Sequence, residues 1–317
     1  MSQHDDKSPF DWDKWPFILP DRDSGEPEED EMWSSSYVRF DELSLRLSAE
    51  IGSVSAMSEL GRKLLWGEDG YRKDPQEAVK WLGAAAEQGD AEAQADYGYC
   101  LQHGIGCKED PEKAVKYYRA AAKQGHVAAQ MNYAFCLKEG IGCEENTRMA
   151  VRWYRAAAKQ GNTEAQEILS HCLLGGIGCK ENHRQGMRWL RRAADGGNTD
   201  AMAKYAVNLD FGICCTPNPK RAIKYHRMAA KLGHEDAQFN YAQSLLHGSG
   251  CKKNPEKAVR WFRKAAKQGD STAQFYLADC YEKGIGCPQD IKKALYWYGE
   301  AAARGNTNAQ KALQRLK

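Results

Sequence analysis

The tetrad Gly-Ile-Gly-Cys occurs at residues 104–107, 140–143, 176–179 and 284–287, always on one 36-residue grid. Two looser copies, Gly212-Ile213-Cys214-Cys215 and Gly248-Ser249-Gly250-Cys251, fill the remaining grid points. A fixed period of this size means stacked supersecondary units, none of which can bury its apolar face alone. It also removes chain length as a guide to domain number, because stacked repeats extend one domain instead of starting another.

One period, residues 91–126, shows how a repeat is built. Ala93, Tyr97 and Leu101 recur at i, i+4 and i+8, the buried stripe of a first helix, with Gly98 beside it where another backbone must come close. Gly98 is replaced by Ala134, Ser170, Ala206, Ala242 and Ala278 in later repeats, so the place is always small. Gly104 ends the first helix and Gly106 turns the chain. Asp110 then precedes Pro111, the arrangement of an N-cap followed by proline at the first helical position. Its counterparts Asp74, Asn146, Asn182, Asn218, Asn254 and Asp290 are predicted to cap every second helix. The second helix carries Tyr117 over alanines, and Trp81, Trp153, Trp189, Tyr225, Trp261 and Trp297 hold the same place, an aromatic column expected in the core.

On this pattern seven repeats span 54–306, at 54–90, 91–126, 127–162, 163–198, 199–234, 235–270 and 271–306. A short helix over 307–317 closes the stack, and Phe40, Leu43, Leu45 and Leu47 predict a capping helix over 39–53. Residues 1–38 read differently. From Asp5 to Glu31 eleven acidic residues face three basic ones, a net of −8 in a chain whose overall charge is +2, and four prolines interrupt any helix. This is expected to be a disordered acidic tail. Within it Phe10, Trp12, Trp15 and Phe17 form an aromatic docking motif or a loosely adhering cap.

The succession small-x-x-x-aromatic-Gly, Gly-x-Gly-x-x-x-Asp and Lys-Ala-x-x-Tyr-Tyr-x-x-Ala-Ala-x-x-Gly resembles the Sel-1-like repeat family, helical relatives of the tetratricopeptide repeat, over residues 54–317. The resemblance implies an all-α, right-handed α-solenoid of seven helix-turn-helix repeats and a role as an adaptor or scaffold. In secreted, cysteine-rich family members a disulfide joins the end of one second helix to the start of the next repeat. Here those places hold Ala121, Ala122 and Gln130. The family further implies β-lactam binding or hydrolysis as an alternative activity, for which this chain offers no evident nucleophile.

The cysteines form a loop set (Cys107, Cys143, Cys179, Cys215, Cys251, Cys287) and a helix set (Cys100, Cys136, Cys172, Cys280) seven residues earlier. That spacing matches no zinc motif, so reduced thiols standing in for valine are expected. His103, His126, His171, His226, His234 and His247 read as lone polar residues at unlike places, and no catalytic, metal or cofactor motif occurs. No apolar run is long enough for a membrane span and the N-terminus opens polar, which points to the cytoplasm.

Lys116, Arg119 and Lys123 stand at i, i+3 and i+7, and Arg152/Arg155/Lys159, Arg188/Arg191, Lys224/Arg227/Lys231 and Arg260/Arg263/Lys267 repeat them, a ridge for an anionic partner or for the chain's own acidic tail. No aromatics interleave it, which argues against nucleic acid. Partner recognition, of a peptide or protein segment in the concave groove, is expected where the repeats disagree. By analogy with tetratricopeptide arrays the candidates are Tyr99, Phe135, His171, Val207, Gln243 and Asp279, flanked by Met131, Glu167, Phe239 and Phe275. Phe239 and Phe275 fit equally well between repeats.

Overall fold

A computed structural model describes residues 34–316, with side chains from residue 41. The acidic tail and its motif of Phe10, Trp12, Trp15 and Phe17 lie outside the described residues. The chain divides into two compact bodies, Met1–Gln160 and Gly161–Lys317. In both, every described regular element is helical, and helix pairs succeed one another on the 36-residue period.

In the first body α1 (Ser34–Glu50) precedes the first helices α2 (Val54–Trp66), α4 (Ala91–His103) and α6 (Val127–Glu139). Their second helices are α3 (Pro75–Glu87), α5 (Pro111–Lys123) and α7 (Thr147–Lys159). In the second body the first helices are α8 (Thr163–Gly175), α10 (Thr199–Phe211), α12 (Glu235–His247) and α14 (Ser271–Lys283). Their partners are α9 (His183–Asp195), α11 (Pro219–Lys231), α13 (Pro255–Gln268) and α15 (Ile291–Ala303), followed by α16 (Thr307–Leu316). α1 starts and stops earlier than 39–53. It sets Leu45 and Ala49 against the first core and leaves Leu43 and Leu47 exposed.

The turns follow from their residues. Gly104 adopts φ +63° and its N–H reaches back to the Cys100 carbonyl, a left-handed C-cap repeated at Gly140, Gly176, Gly212, Gly248 and Gly284. Gly106 adopts φ +70° with its α-carbon facing the carbonyl of Pro75, the first residue of the preceding repeat's second helix. A side chain there would overlap that carbonyl, so glycine is required twice over. The predicted N-caps all form: Asp74, Asp110, Asn146, Asn182, Asn218, Asn254 and Asp290 each accept the backbone N–H three residues on.

The core differs from expectation by one residue of register. The fully buried side chain of the second helix is Tyr118, and Tyr154, Phe262 and Tyr298 are its equivalents. The Tyr117 column is half-buried everywhere except Tyr225. Its rings pack edge-on against tyrosines of the partner helix, Tyr97–Tyr117 at 5.0 Å, Tyr133–Trp153 at 5.6 Å, Tyr205–Tyr225 at 4.9 Å and Tyr241–Trp261 at 5.5 Å. The small place in the first helix explains the shift, because a Cβ on Gly98 would lie 2.8 Å from the Tyr118 ring. The small residue makes room for position 118, not 117.

A glutamine ladder ties consecutive repeats. Gln124 Nε2 donates to the Gly89 carbonyl (2.9 Å) and to Gln94 Oε1 (3.0 Å), while Gln94 Nε2 donates to the Ala86 carbonyl (3.1 Å). Gln160 with Gln130, and Gln268 with Gln238, reproduce it. Each net hydrogen bond of this kind contributes about 1 kcal/mol. Around α10 and α11 the ladder residues are replaced by Gly196, Met202 and Leu232.

Candidate interaction surface

The helix caps and the recurring small residues fix which side chains of the first helices remain outside the core, and these are the candidate surface. In the first body Tyr99 on α4 is half-buried, with its ring 5.8 Å from that of Trp66 and 4.5 Å from that of His103. Burial pushes its hydroxyl above the ordinary tyrosine range. Phe135 holds the same place on α6 and is also half-buried. Met131 is 2% exposed and belongs to the core, which removes it from any contact surface. Its counterparts Ala95, Glu167 and Ala203 are buried as well, while Phe239 and Phe275 at the same place are half-buried.

In the second body His171, Val207, Gln243 and Asp279 are half-buried at the Tyr99 place. Gln243 Oε1 lies 3.0 Å from His247 Nε2, and Asp279 pairs with Lys283 at 2.6 Å. Phe239 and Phe275 take the interior alternative in part. Phe239 lies 5.8 Å from Phe262 and 5.5 Å from Tyr276, and Phe275 lies 5.5 Å from Tyr276 and 5.6 Å from Tyr298. Phe239 is thus wedged between its own repeat and the next, whereas the ring partners of Phe275 both lie in its own repeat, and each keeps one edge outside. Two polar contacts accompany this face without having been expected: Lys204 Nζ to the buried Glu167 carboxylate at 2.5 Å, and His234 Nε2 to Asp200 at 3.3 Å.

The histidines correct their sequence reading. His126 and His234 occupy the same grid place, 108 residues apart, and each is an N-cap whose Nδ1 accepts the N–H of Ala129 (3.2 Å) or Ala237 (3.4 Å). His226 sits within α11, fully buried, with Nε2 2.9 Å from Asp210 Oδ2. It stands at the Tyr118 place, where Tyr298 reaches Glu282 in the same way at 2.8 Å. The burial of His226 follows from the one-residue shift of the core register, from the Tyr117 place to the Tyr118 place.

None of the eleven cysteines takes part in a disulfide. The helix set is buried, and burial pushes the thiols of Cys100, Cys136 and Cys280 up to about 12. The loop set is half-buried, and each Sγ lies near the carbonyl seven residues earlier, from 3.3 Å at Cys215–Asn208 to 3.7 Å at Cys107–Cys100. These carbonyls also receive the left-handed cap N–H, so the thiol is an additional weak donor at the helix end. The valine comparison misses that bond, because valine cannot make it. Among the described residues no group of three or more His, Cys, Asp or Glu side chains is placed to hold a metal ion.

The Sel1 repeat family model matches residues 54–90, 91–126, 127–162, 163–198, 199–234, 235–270 and 271–306. The chain belongs to the Sel1 repeat family. The Sel1 array is similar to the crystal structure of c5321, a protective antigen present in uropathogenic Escherichia coli strains and displaying an SLR fold. The match has 33% identity and a TM-score of 0.81, covering 85% of this chain and 58% of the antigen. The chain thus spans little over half of that protein's length. It is also similar to a Sel1 repeat protein from Oxalobacter formigenes, with 32% identity and a TM-score of 0.68 over 91% of this chain and 83% of the other. No curated protein matches the chain. Membership accounts for the helix pairs, the caps and the small residues, all of which recur, while the Tyr99 column does not recur. No described helix of this Sel1 protein is long and apolar enough to cross a membrane.

Proposed function

We propose that this Sel1 repeat protein is a non-enzymatic scaffold that binds a peptide or protein segment in the concave groove, along the part-exposed side chains of its first helices. The observation that carries the reading is the contrast within one helix. Every second-helix cap is Asp or Asn and the Gly98 place is always small, whereas the half-buried Tyr99 place reads Tyr, Phe, His, Val, Gln and Asp along the array. Half-exposed aromatics on a rigid frame suit anchor contacts, because little side-chain entropy is lost when they bind. The buried thiols, held far above neutrality, are poor nucleophiles, which argues against β-lactam hydrolysis. A cytoplasmic location belongs to the same reading, with which eleven cysteines outside any disulfide agree.

The test uses peptides selected on the full-length protein from a random display library, with affinity measured by calorimetry. Tyr99→Ala with Phe135→Ala is expected to weaken binding at least tenfold while circular dichroism is unchanged. Phe239 is left intact because it packs against Phe262 and Tyr276. Unchanged affinity for every selected peptide would sink this surface as the recognition site.

A further inference from the structure

The second helices of the first body place their cations on the side away from the core. α5 buries Ala114, Val115, Tyr118, Ala121 and Ala122 and leaves Lys116, Arg119 and Lys123 exposed. α7 buries the equivalent residues and presents Arg152 and Lys159 exposed, with Arg155 half-buried between them. The only carboxylate on α5 is Glu112, and α7 has none. The ion pairs of this body join other residues, such as Arg62 with Glu92 and Lys138 with Glu139. Among the described residues, none of the six cations has an ion-pair partner. Glu59 on α2, Glu92 and Asp96 on α4 and Glu139 on α6 stand on the first helices instead. Like charges at i, i+3 and i+4 repel one another, so an uncompensated face of this kind favours a polyanion.

The chain supplies one of matching size. Residues 21–31 read Asp-Arg-Asp-Ser-Gly-Glu-Pro-Glu-Glu-Asp-Glu, seven carboxylates and one arginine, a net of −6 against six cations. The run ends at Glu31, three residues before α1 begins at Ser34. Eleven residues extend to about 36 Å, well beyond the about 20 Å length of a 13-residue helix. Covalent tethering also gives the run an effective concentration near millimolar at that face, an advantage that an untethered anion lacks. We infer that residues 21–31 dock on the exposed face of α5 and α7 and shield it from other anions. This surface is separate from the first-helix face proposed above, so either assignment can fail without the other.

Carbodiimide cross-linking of full-length protein, in an equal mixture of ¹⁵N-labelled and unlabelled chains, tests the contact. Carboxylates of residues 21–31 are expected to couple to Lys116, Lys123 and Lys159 within single isotopic chains. Yields should fall severalfold at an ionic strength of about 0.5 M, where screening is short-ranged. Replacing Arg119, Arg152 and Arg155 by glutamine leaves every cross-linkable lysine in place and is expected to cut these yields at least threefold, with circular dichroism confirming the fold. Coupling spread evenly over distant lysines and indifferent to the arginine changes would overturn the assignment. Products joining labelled to unlabelled chains would overturn it in favour of a second copy. Converting the seven carboxylates to amides is expected to raise affinity for a labelled oligothymidylate at least fivefold, and equal affinity would refute the shielding.

Discussion

Two residues of the repeat loop test how tightly a single position is specified. Gly106 combines a positive φ with direct approach to the Pro75 carbonyl, so Gly106→Ala is expected to cost about 3 kcal/mol or more in urea unfolding. Cys214 occupies the equivalent place at φ +59° without being glycine, one of two such non-glycine residues among those described. Relief of that strain should make Cys214→Gly more stable by about 1 kcal/mol, the cost of a side chain in the left-handed region. The two histidine caps respond to pH in opposite directions. Burial lowers the pKa of His126, although Glu92 and Asp90 face it and pull the other way. Its folded-state value therefore lies below the unfolded one, and its contribution is intact above about pH 6.5 and lost as pH falls through the folded value. Relative to His126→Asn, which keeps a neutral cap, wild type should lose melting temperature between pH 7.5 and 5. His234 is raised by its bond to Asp200, against burial and the repulsion of Lys204, with Asp236 adding to the attraction. Its stabilising contribution is present at low pH and lost as pH rises through the folded value, so His234→Asn should show the reverse trend. Parallel melting curves for both variants would contradict this assignment.

At the scale of helices, the Gln ladder converts adjacency into register. Gln124 reaches both the preceding repeat and its own first helix, so Gln124→Ala should destabilise by about 1 to 2 kcal/mol through two lost bonds and an unsatisfied Gln94 oxygen. Leu232 holds the same place in its repeat, is exposed, and makes no such bond. Leu232→Ala should therefore change stability by less than about 0.5 kcal/mol. Equal losses at the two positions would show that the ladder carries no special weight. The caps, hairpin turns and small residue near 98 were legible in the sequence, because each depends on a few neighbours in the chain. The ladder was not legible, since its partners lie 30 to 35 residues apart. The aromatic register was misassigned for a related reason: positions 117 and 118 are both aromatic, and only the partner helix decides which one enters the core.

On the scale of the whole molecule, repeat arrays unfold by local units whose stability depends on their nearest neighbours. Within the second body, α10 and α11 lie in the stretch without ladder glutamines and carry the strained Cys214 with the exposed Phe211 and Ile213. Their amides are expected to exchange hydrogen faster than those of α12 and α13 at neutral pH, and uniform protection across the body would contradict this. The sequence by itself determined the helix pairs, their period, their caps and their family, because a repeated pattern samples the same short-range physics seven times. Only the tertiary structure decided which variable side chains remain outside. Met131 and Phe239 share one place in the first helix, yet one is buried and the other half-buried. Burial of that place depends on how a side chain of given size packs against the helices around it, which no periodicity within a single helix contains.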